Sequence, residues 1–392
     1  MPYKSIEAIV EKRVLIWARE SMGLSIQEVA KKLKTSEDTL NKCESGQKKP
    51  TLVQIEKLAK IYKRPLGVFF LPEPPKEQPL PKDFRTIPKE WRKPFSPKTL
   101  LAIRRARRLQ SLALELTKNL NLKSISEIGR VNLSGDPEVI ASKIRIKLNI
   151  RIKTQLFKWK DETEALNEWT KAIEKLGVLV FQMSMPIEET RGFSLTEDGF
   201  SVIVINAQDT IRARIFSLIH EFGHILLNDS GICNMEEMDE SSGTAKLIEK
   251  FCNHFAGAVL VPKDILLDHK LVKSIRYSNE WPDEFMKILA REFKVSQEVI
   301  LRRLVILGRA TRGFYKTKRE EWEMKIKEKK EIKRGGRSNP PKKCIRENGI
   351  PFISLVLESH KKENITYSDV ADYLAIRLKH LPKIEQFIRS KI

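Results

Sequence analysis

The chain is poor in cysteine and lacks several features that would place it in other classes of protein. Its four cysteines are scattered over 392 residues, which predicts a reduced cytoplasmic protein without disulfides. It has no run of about eighteen apolar residues, so we expect no membrane-spanning helix. The first residues are not followed by the apolar core of a secretory signal. No glycine-rich phosphate loop is present, so ATP use is not supported.

Acidic residues are also in the minority. The chain has 73 Lys and Arg against 51 Asp and Glu, a formal net charge of +22. Such an excess favours nucleic acid or an acidic protein as a partner. The basic residues are spread over several segments, however, and are densest at 316–343. Because lysine-rich surfaces also arise from adaptation to heat, the charge alone does not establish DNA binding.

The pentapeptide His220-Glu221-Phe222-Gly223-His224 carries the strongest chemical signal. Apolar residues around it recur at helical spacing, which predicts a buried helix over 212–227. Both histidines then lie on one helix face and can bind one zinc ion, with Glu221 directed at the water on the metal. Burying these polar side chains is costly unless they are paired or bound to metal. The alternative is that both histidines are ordinary polar residues on a half-exposed helix.

A catalytic zinc site needs a third protein ligand and one open position for water. The metzincin pattern fails here, because Leu227 and Ser230 stand where it has glycine and histidine. The better candidate is Glu249, on a second predicted helix that ends before Pro262. Asn253 shares its helix face, an arrangement that resembles the Glu-x-x-x-Asp pair of gluzincins. In that role Asn253 would hydrogen-bond a ligating histidine and fix its tautomer.

Other candidates for the third ligand are weaker. His254 lies off the helix face of Glu249 and is better explained as a partly buried structural histidine. Cys233 and Cys252 lack a second cysteine at the spacing of structural zinc sites. The loop between the two helices contains an acidic cluster of the kind that is usually solvated, Glu236, Glu237, Asp239 and Glu240.

Strands are predicted before the motif helix. Residues 178–182 form a buried apolar segment, and 191–195 and 200–206 have strand composition. One of the last two could be an edge strand that pairs with a peptide substrate. The other possibility is that both lie in the interior of a sheet.

The stretch from 191 to 262 resembles the ImmA/IrrE family of metallopeptidases. The resemblance is carried by Arg-Gly-Phe-Ser at 191–194, Val-Ile-Asn at 204–206, Ile-His-Glu-Phe-Gly-His-Ile-Leu-Leu at 219–227 and Glu-x-x-x-Asn-x-Phe-Ala-x-x-x-Leu-x-Pro at 249–262. It implies a gluzincin-like fold in which His220, His224 and Glu249 bind Zn²⁺, with Mn²⁺ or another divalent ion also possible. It also implies a protein substrate, because several members are thought to cleave helix-turn-helix repressors.

Residues 6–70 are predicted to form a small helical bundle. Ser25 and Glu28 fit a capping box at the start of one helix, and a second helix follows over 37–44. This pattern resembles an XRE-type (Cro/C1-like) helix-turn-helix, whose second helix would enter the major groove. The residues predicted to contact DNA are Asn41, Lys42, Gln47, Lys48 and Lys49.

Acidic residues begin the second helix of this bundle and qualify the prediction of DNA binding. Glu37 and Asp38 would repel phosphates near the groove. A bundle that recognises a related helix-turn-helix protein, or one that only packs on the peptidase, is the alternative.

A proline-rich segment joins the two modules, and prolines at this density exclude helix and central strand, which predicts an extended connector. Its sequence also resembles the connector of XRE–ImmA/IrrE fusions. The predicted fold class is α+β and mainly helical, with an all-α N-terminal domain and a zincin-like domain that contains a small sheet. The predicted domains are 1–70 helix-turn-helix, 71–95 connector, 96–314 metallopeptidase, 315–347 basic linker and 348–392 helical extension without an assigned role.

Together these patterns predict a cytoplasmic, DNA-binding zinc metallopeptidase that cleaves a partner such as a helix-turn-helix repressor or an antitoxin. Glu221 would act as general base on the water bound to the metal. The sequence does not fix the oligomeric state, and a dimer is plausible. Two alternatives stand: a non-proteolytic regulator with a metal-sensing site, against which Glu221 argues, and a toxin–antitoxin or phage-defence component.

Overall fold

The computed structural model describes residues 6–83, 94–122, 128–196, 199–228, 231–233, 243–275, 280–329 and 339–390. The chain divides into two compact units, Met1–Leu80 with Ile87–Arg105 and Pro81–Thr86 with Ala106–Ile392. The domain boundaries predicted from the sequence stay predictions. As predicted, the fold is α+β and mainly helical.

The first unit begins with four helices and a short 3-10 helix: α1 (Lys12–Glu20), α2 (Ile26–Leu33), α3 (Glu37–Ser45), α4 (Leu52–Tyr62) and Leu66–Phe70. Local signals set their ends. The Glu28 N–H donates to Ser25 Oγ at 3.2 Å, and the Ser25 N–H donates to Glu28 Oε2 at 2.8 Å, which is the predicted capping box. Gly46, at φ 82°, ends α3 in the left-handed region. Buried side chains from all four helices form the core of this bundle.

The helices that follow are α5 (Pro97–Asn119), α6 (Pro137–Lys147), α7 (Ile152–Phe157), α8 (Glu162–Glu174), α9 (Ile211–Leu226), α10 (Thr244–Leu260), α11 (Lys263–Asp268), α12 (Lys270–Lys273), α13 (Asp283–Phe293), α14 (Gln297–Ile306), α15 (Arg312–Lys329), α16 (Pro340–Asn348), α17 (Ile350–Lys361), α18 (Tyr367–Tyr373) and α19 (Leu381–Arg389). α9 lies at the centre of the second unit and packs against α8, α10 and the sheet. None of the described helices is both long and apolar enough to span a membrane.

A small sheet packs against α9. Its strands are β1 (Lys82–Asp83), β2 (Leu179–Met183), β3 (Gly192–Leu195), β4 (Val202–Asn206) and β5 (Gly231–Cys233), in the order β1-β5-β3-β4-β2. β3 is antiparallel to both of its neighbours, whereas β1 with β5 and β2 with β4 are parallel. Both candidate substrate strands, β3 and β4, are therefore interior. Of the two possibilities left open by the sequence, the interior position is the one found, because β5 pairs with the outer side of β3.

The C-terminal helices cover β2, the other edge of the sheet. α16 packs along β2, and Phe352 of α17 meets Phe181 of β2 edge to face with 6.0 Å between ring centroids. Gly349 joins α16 to α17 at φ 69°, and a Cβ there would lie 2.7 Å from the Val180 carbonyl oxygen. Because only glycine permits this approach, the chain turns tightly against the edge strand.

Candidate metal centre

The motif helix α9 forms where the sequence predicts it. Thr210 caps its first turn by accepting the Ala213 N–H at 3.3 Å, and its residues from Ile215 to Leu226 are all buried. Gly223 faces α10, where an added Cβ would lie 3.1 Å from Phe255 and 3.2 Å from Cys252. The missing side chain therefore lets the two helices approach closely, which brings Glu249 of α10 to the two histidines.

Three buried side chains meet at this contact. His220 Nε2 lies 3.2 Å from His224 Nε2 and 3.3 Å from Glu249 Oε2, and His224 Nε2 lies 3.1 Å from Glu249 Oε1. The exposed fractions are 0%, 0% and 3% for His220, His224 and Glu249. These residues form the one group of three or more possible metal ligands found within the described part of the chain.

The spacing of these atoms fits a metal ion. Ligands about 2.0–2.1 Å from a tetrahedral zinc lie about 3.3 Å from one another, which matches the 3.1 to 3.3 Å between the nitrogen and oxygen atoms here. Both carboxylate oxygens of Glu249 are buried without a hydrogen-bond donor among the described residues, so a metal ion can supply the interaction they lack. The group could therefore hold a metal ion.

The carboxylate of Glu249 is kept charged by its surroundings. Burial by itself raises the pKa of this group, but His220 and His224 beside it outweigh that effect and hold the pKa well below its ordinary value. The Glu249 carboxylate is thus ionised at neutral pH, as a metal ligand must be.

Glu221 points into the same region from α9. Its carboxyl group is 1% exposed and lies against β3, where a Cβ on Gly192 would be 3.2 Å from Glu221 Oε1. Burial raises the pKa of Glu221, although His224 and His220 oppose the shift. A carboxyl group with a raised pKa is better matched to accepting and returning a proton near neutral pH.

The surroundings of the two residues near Glu249, Cys252 and Asn253, were only partly predicted from the sequence. Asn253 Oδ1 is buried and has no hydrogen-bond partner among the described residues, so its role beside a ligating histidine stays a prediction. The fully buried Cys252 lies beside His224; burial raises the pKa of its thiol, and His224 opposes the shift. Cys252 was predicted from the sequence only as an unlikely metal ligand, although its position three residues after Glu249 places it on the same helix face.

The remaining candidates are accounted for separately. His254 is partly buried and contacts Glu138 Oε1 at 2.7 Å, in keeping with a structural role. The acidic cluster at 236–240 and the side chain of Cys233 lie outside the described residues.

The predicted DNA contacts are all exposed. Asn41 and Lys42 lie on α3, and Gln47, Lys48 and Lys49 follow it. Lys42 Nζ forms an ion pair with Asp38 Oδ2 at 2.7 Å, so part of its charge is neutralised before any phosphate approaches.

Comparison with known families agrees with this architecture. Residues 173–305 match the model of the IrrE N-terminal-like domain, Peptidase_M78, and residues 15–69 match the helix-turn-helix model HTH_3. The first match contains His220, Glu221, His224 and Glu249. The comparison with curated proteins found no match. The chain therefore combines an XRE-type helix-turn-helix domain with a domain of the ImmA/IrrE metallopeptidase family.

Proposed function

We propose that the protein is a DNA-binding regulator that hydrolyses a peptide bond in a partner protein, with a divalent metal held by His220, His224 and Glu249. The convergence of three buried donor groups beside the buried Glu221 carries the proposal. Two imidazoles and one carboxylate leave a coordination position open, which is typical of catalytic rather than structural zinc sites. Zn²⁺ is the first choice, and the same donors also suit Mn²⁺.

Each group at the site has a separate chemical role in this proposal. A bound metal supplies Lewis acidity, which polarises the scissile carbonyl and lowers the pKa of water. Glu221 takes the proton of the attacking water and returns it to the leaving amine. Its position against β3, beside the Gly192 backbone, fixes the carboxyl group beside the proposed metal ligands. The close packing of Gly223 against Cys252 and Phe255 of α10 holds the backbone of α9, and with it His224, in place.

The substrate class follows from the combination of domains. A helix-turn-helix domain brings the peptidase to DNA or to related helix-turn-helix proteins, so a repressor or an antitoxin is the expected substrate. The five exposed residues around α3 are the proposed contacts with DNA, namely Asn41, Lys42, Gln47, Lys48 and Lys49.

Glu221→Gln tests the proteolytic function. We expect the variant to retain the metal content of the wild type, measured by elemental mass spectrometry, because Glu221 is not a ligand. We also expect it to lose the new protein N-termini that the wild type generates in producing cells, measured by N-terminal proteomics. Glu168→Gln, an exposed change on α8, is the matched control and should behave as the wild type.

Two results would contradict this function. Identical N-termini from wild type and Glu221→Gln would exclude proteolysis and favour the metal-sensing regulator. Absence of metal from the wild type, purified without chelator and supplied with Zn²⁺ or Mn²⁺, would exclude the metal centre itself.

A further inference from the structure

Helices α6 and α7 present a surface that combines exposed apolar side chains with positive charge. Val139 and Ile146 of α6 and Phe157 of α7 are 50%, 79% and 81% exposed. Single exposed apolar side chains are ordinary, whereas several on neighbouring helices mark a surface that binds another molecule. These three residues and the basic residues of 143–160 around them define what we call the α6–α7 face.

A buried hydrogen-bond network fixes α6 and α7 against each other. Arg145 of α6 donates to Gln155 Oε1 of α7 at 2.8 Å and to the Val259 carbonyl oxygen at 2.6 Å. Gln155 Nε2 in turn donates to the carbonyl oxygens of Leu260 and Phe293, both at 2.9 Å. Because these bonds lie on the inner sides of both helices, the outer sides keep a fixed spacing. Such a preformed surface loses little entropy when a partner binds.

The apolar side chains of this face have the spacing that a helical partner requires. Val139 and Ile146 are seven residues apart and so lie on one side of α6, with about 10 Å between them along its axis. On α7, Lys153 and Phe157 are four residues apart and also share a side. An amphipathic helix carries apolar side chains at the same intervals, so its apolar side can contact both Val139 and Ile146.

Positive charge surrounds these apolar side chains. The sequence from 139 to 160 contains seven Lys or Arg and no Asp or Glu. All of the seven except Arg145 are exposed, namely Lys143, Lys147, Arg151, Lys153, Lys158 and Lys160. The nearest acidic residues along the chain are used within the fold, since Glu138 accepts from Arg303 at 2.6 Å and Asp161 caps α8. The complementary partner is therefore acidic.

The composition of the face favours a protein over a nucleic acid as the partner. Val139 and Ile146 are aliphatic and lack the ring that stacks on a base. An apolar centre with polar and charged residues around it is instead the usual arrangement of a protein–protein interface.

We propose that the α6–α7 face binds an acidic, amphipathic helix of a partner protein. The apolar side of that helix packs on Val139, Ile146 and Phe157, and its carboxylates pair with the lysines around them. The proposed metal ligands are on α9 and α10, so this surface is separate from the metal centre and does not depend on the proposed peptidase activity.

The test uses the full-length protein and a defined peptide. The probe is a fluorescein-labelled helix of about fifteen residues, with leucine at every third or fourth position and glutamate beside the leucines. Anisotropy titrations should give saturable binding with Kd of about 100 μM or tighter. The same peptide with glutamine in place of glutamate should bind at least about tenfold more weakly.

Charge-reversal variants locate the binding site. Lys147→Glu combined with Lys153→Glu should weaken binding of the glutamate peptide at least about tenfold. Lys379→Glu combined with Lys383→Glu makes the same change in net charge at exposed positions near the C-terminal end and should bind the peptide as the wild type does.

A second pair of variants tests the apolar side chains. Ile146→Ser should weaken binding at least about threefold, because it removes apolar area from the contact. Leu378→Ser, which changes another exposed apolar side chain, should have no effect. Circular dichroism checks that each variant is folded, which we expect because all of the changed side chains are exposed.

Three results would overturn the proposal: no saturable binding of the glutamate peptide to the wild type, equal affinity for both peptides, or unchanged affinity in the α6–α7 variants. Single-stranded oligothymidylate and vesicles that contain phosphatidylglycerol are also added as competitors. If either displaces the peptide at a lower concentration than unlabelled peptide does, and binds less well to the Lys147→Glu/Lys153→Glu variant, the face belongs to a nucleic acid or to a membrane surface instead.

Discussion

Two clusters of histidine and glutamate share helix α10, and they differ in the source of positive charge. In the first, Glu249 meets His220 and His224 at 3.3 and 3.1 Å. In the second, Glu138 of α6 accepts from Arg303 of α14 at 2.6 and 3.0 Å and contacts His254 of α10 at 2.7 Å. Arg303 is fully buried and also donates to the Val261 carbonyl oxygen at 2.9 Å. The second cluster thus contains its own permanent cation.

This difference in charge indicates that the Glu138 cluster is structural, whereas the Glu249 cluster lacks a permanent cation unless a metal binds. A partly buried carboxylate paired with a buried guanidinium is compensated in every state of the molecule. Glu249 is paired only with imidazoles in the described structure, and imidazoles are neutral when they bind metal. A divalent ion would supply the charge that Arg303 supplies in the other cluster. Removing the carboxylate from each cluster should therefore have different consequences.

The largest effect is expected for Glu249→Ala. Loss of one of three ligands should reduce bound zinc from about one ion per chain to almost none, because two imidazoles alone bind weakly. Chelator should lower the Tm of the wild type, since a ligand that binds only the folded state stabilises it, and should leave the Tm of the variant unchanged. Elemental mass spectrometry and thermal unfolding measure both.

Glu292→Ala is the matched control for this variant, because Glu292 pairs with His269 at 3.0 Å in a partly exposed His–Glu contact. It should keep its metal and its response to chelator. Equal metal in wild type and Glu249→Ala would move the third ligand elsewhere, with the acidic cluster at 236–240 as the next candidate.

The next largest effect is expected for Glu138→Gln, which should lower the stability of the protein and leave its metal content unchanged. Burial raises the pKa of Glu138, but hydrogen bonds from His254 and Arg303 outweigh it and lower the pKa to about 2. The change leaves Arg303 buried without its counter-ion, so we expect a loss of about 2 kcal/mol in the free energy of unfolding. Urea titrations measure this loss.

The pH dependence has a defined sign. A carboxyl group whose pKa falls from 4.5 to about 2 on folding stabilises the protein above pH of about 4.5, and this contribution is lost as the pH falls towards 2. The stability difference between wild type and Glu138→Gln should therefore shrink below pH 4.5. A difference that stays constant to pH 3 or so would contradict the assignment.

The two clusters also show which parts of the structure could be predicted from the sequence and which could not. The spacing of His220 and His224 is local to one helix and Glu249 lies on the next, so apolar periodicity, with Pro262 ending the second helix, was enough to predict both helices. Glu138 and Arg303 are 165 residues apart, and no local pattern indicates that α6 and α14 meet. β5 could not be predicted either, because three residues are too few for an alternating pattern and its pairing with β3 is a tertiary contact.

A smaller effect is expected for the neighbours of Glu249. Cys252→Ala removes a thiol that packs against Gly223 where α9 and α10 meet and should weaken zinc affinity by less than about tenfold, the lower limit for groups that hydrogen-bond a ligating histidine. Asn253→Ala removes an oxygen that forms no bond to a histidine in the structure and should change affinity less. Competition with a chromophoric chelator ranks the variants. The opposite order would restore the role predicted for Asn253.

The smallest effect on stability is expected where the charges are exposed. Lys42 and Asp38 pair on the surface of α3 with 49% and 69% of their side chains exposed, so Asp38→Asn should change the free energy of unfolding by less than about 0.5 kcal/mol. It should nevertheless strengthen binding to duplex DNA at low salt, because it removes an anion and releases Lys42 for a phosphate. Glu56→Gln, an equal change of charge at an exposed position of α4, controls for net charge. Fluorescence anisotropy at two salt concentrations measures the affinity of each variant for duplex DNA. If both variants bind DNA equally, α3 does not face DNA, and the helical bundle is better explained as a surface for recognising a related helix-turn-helix protein.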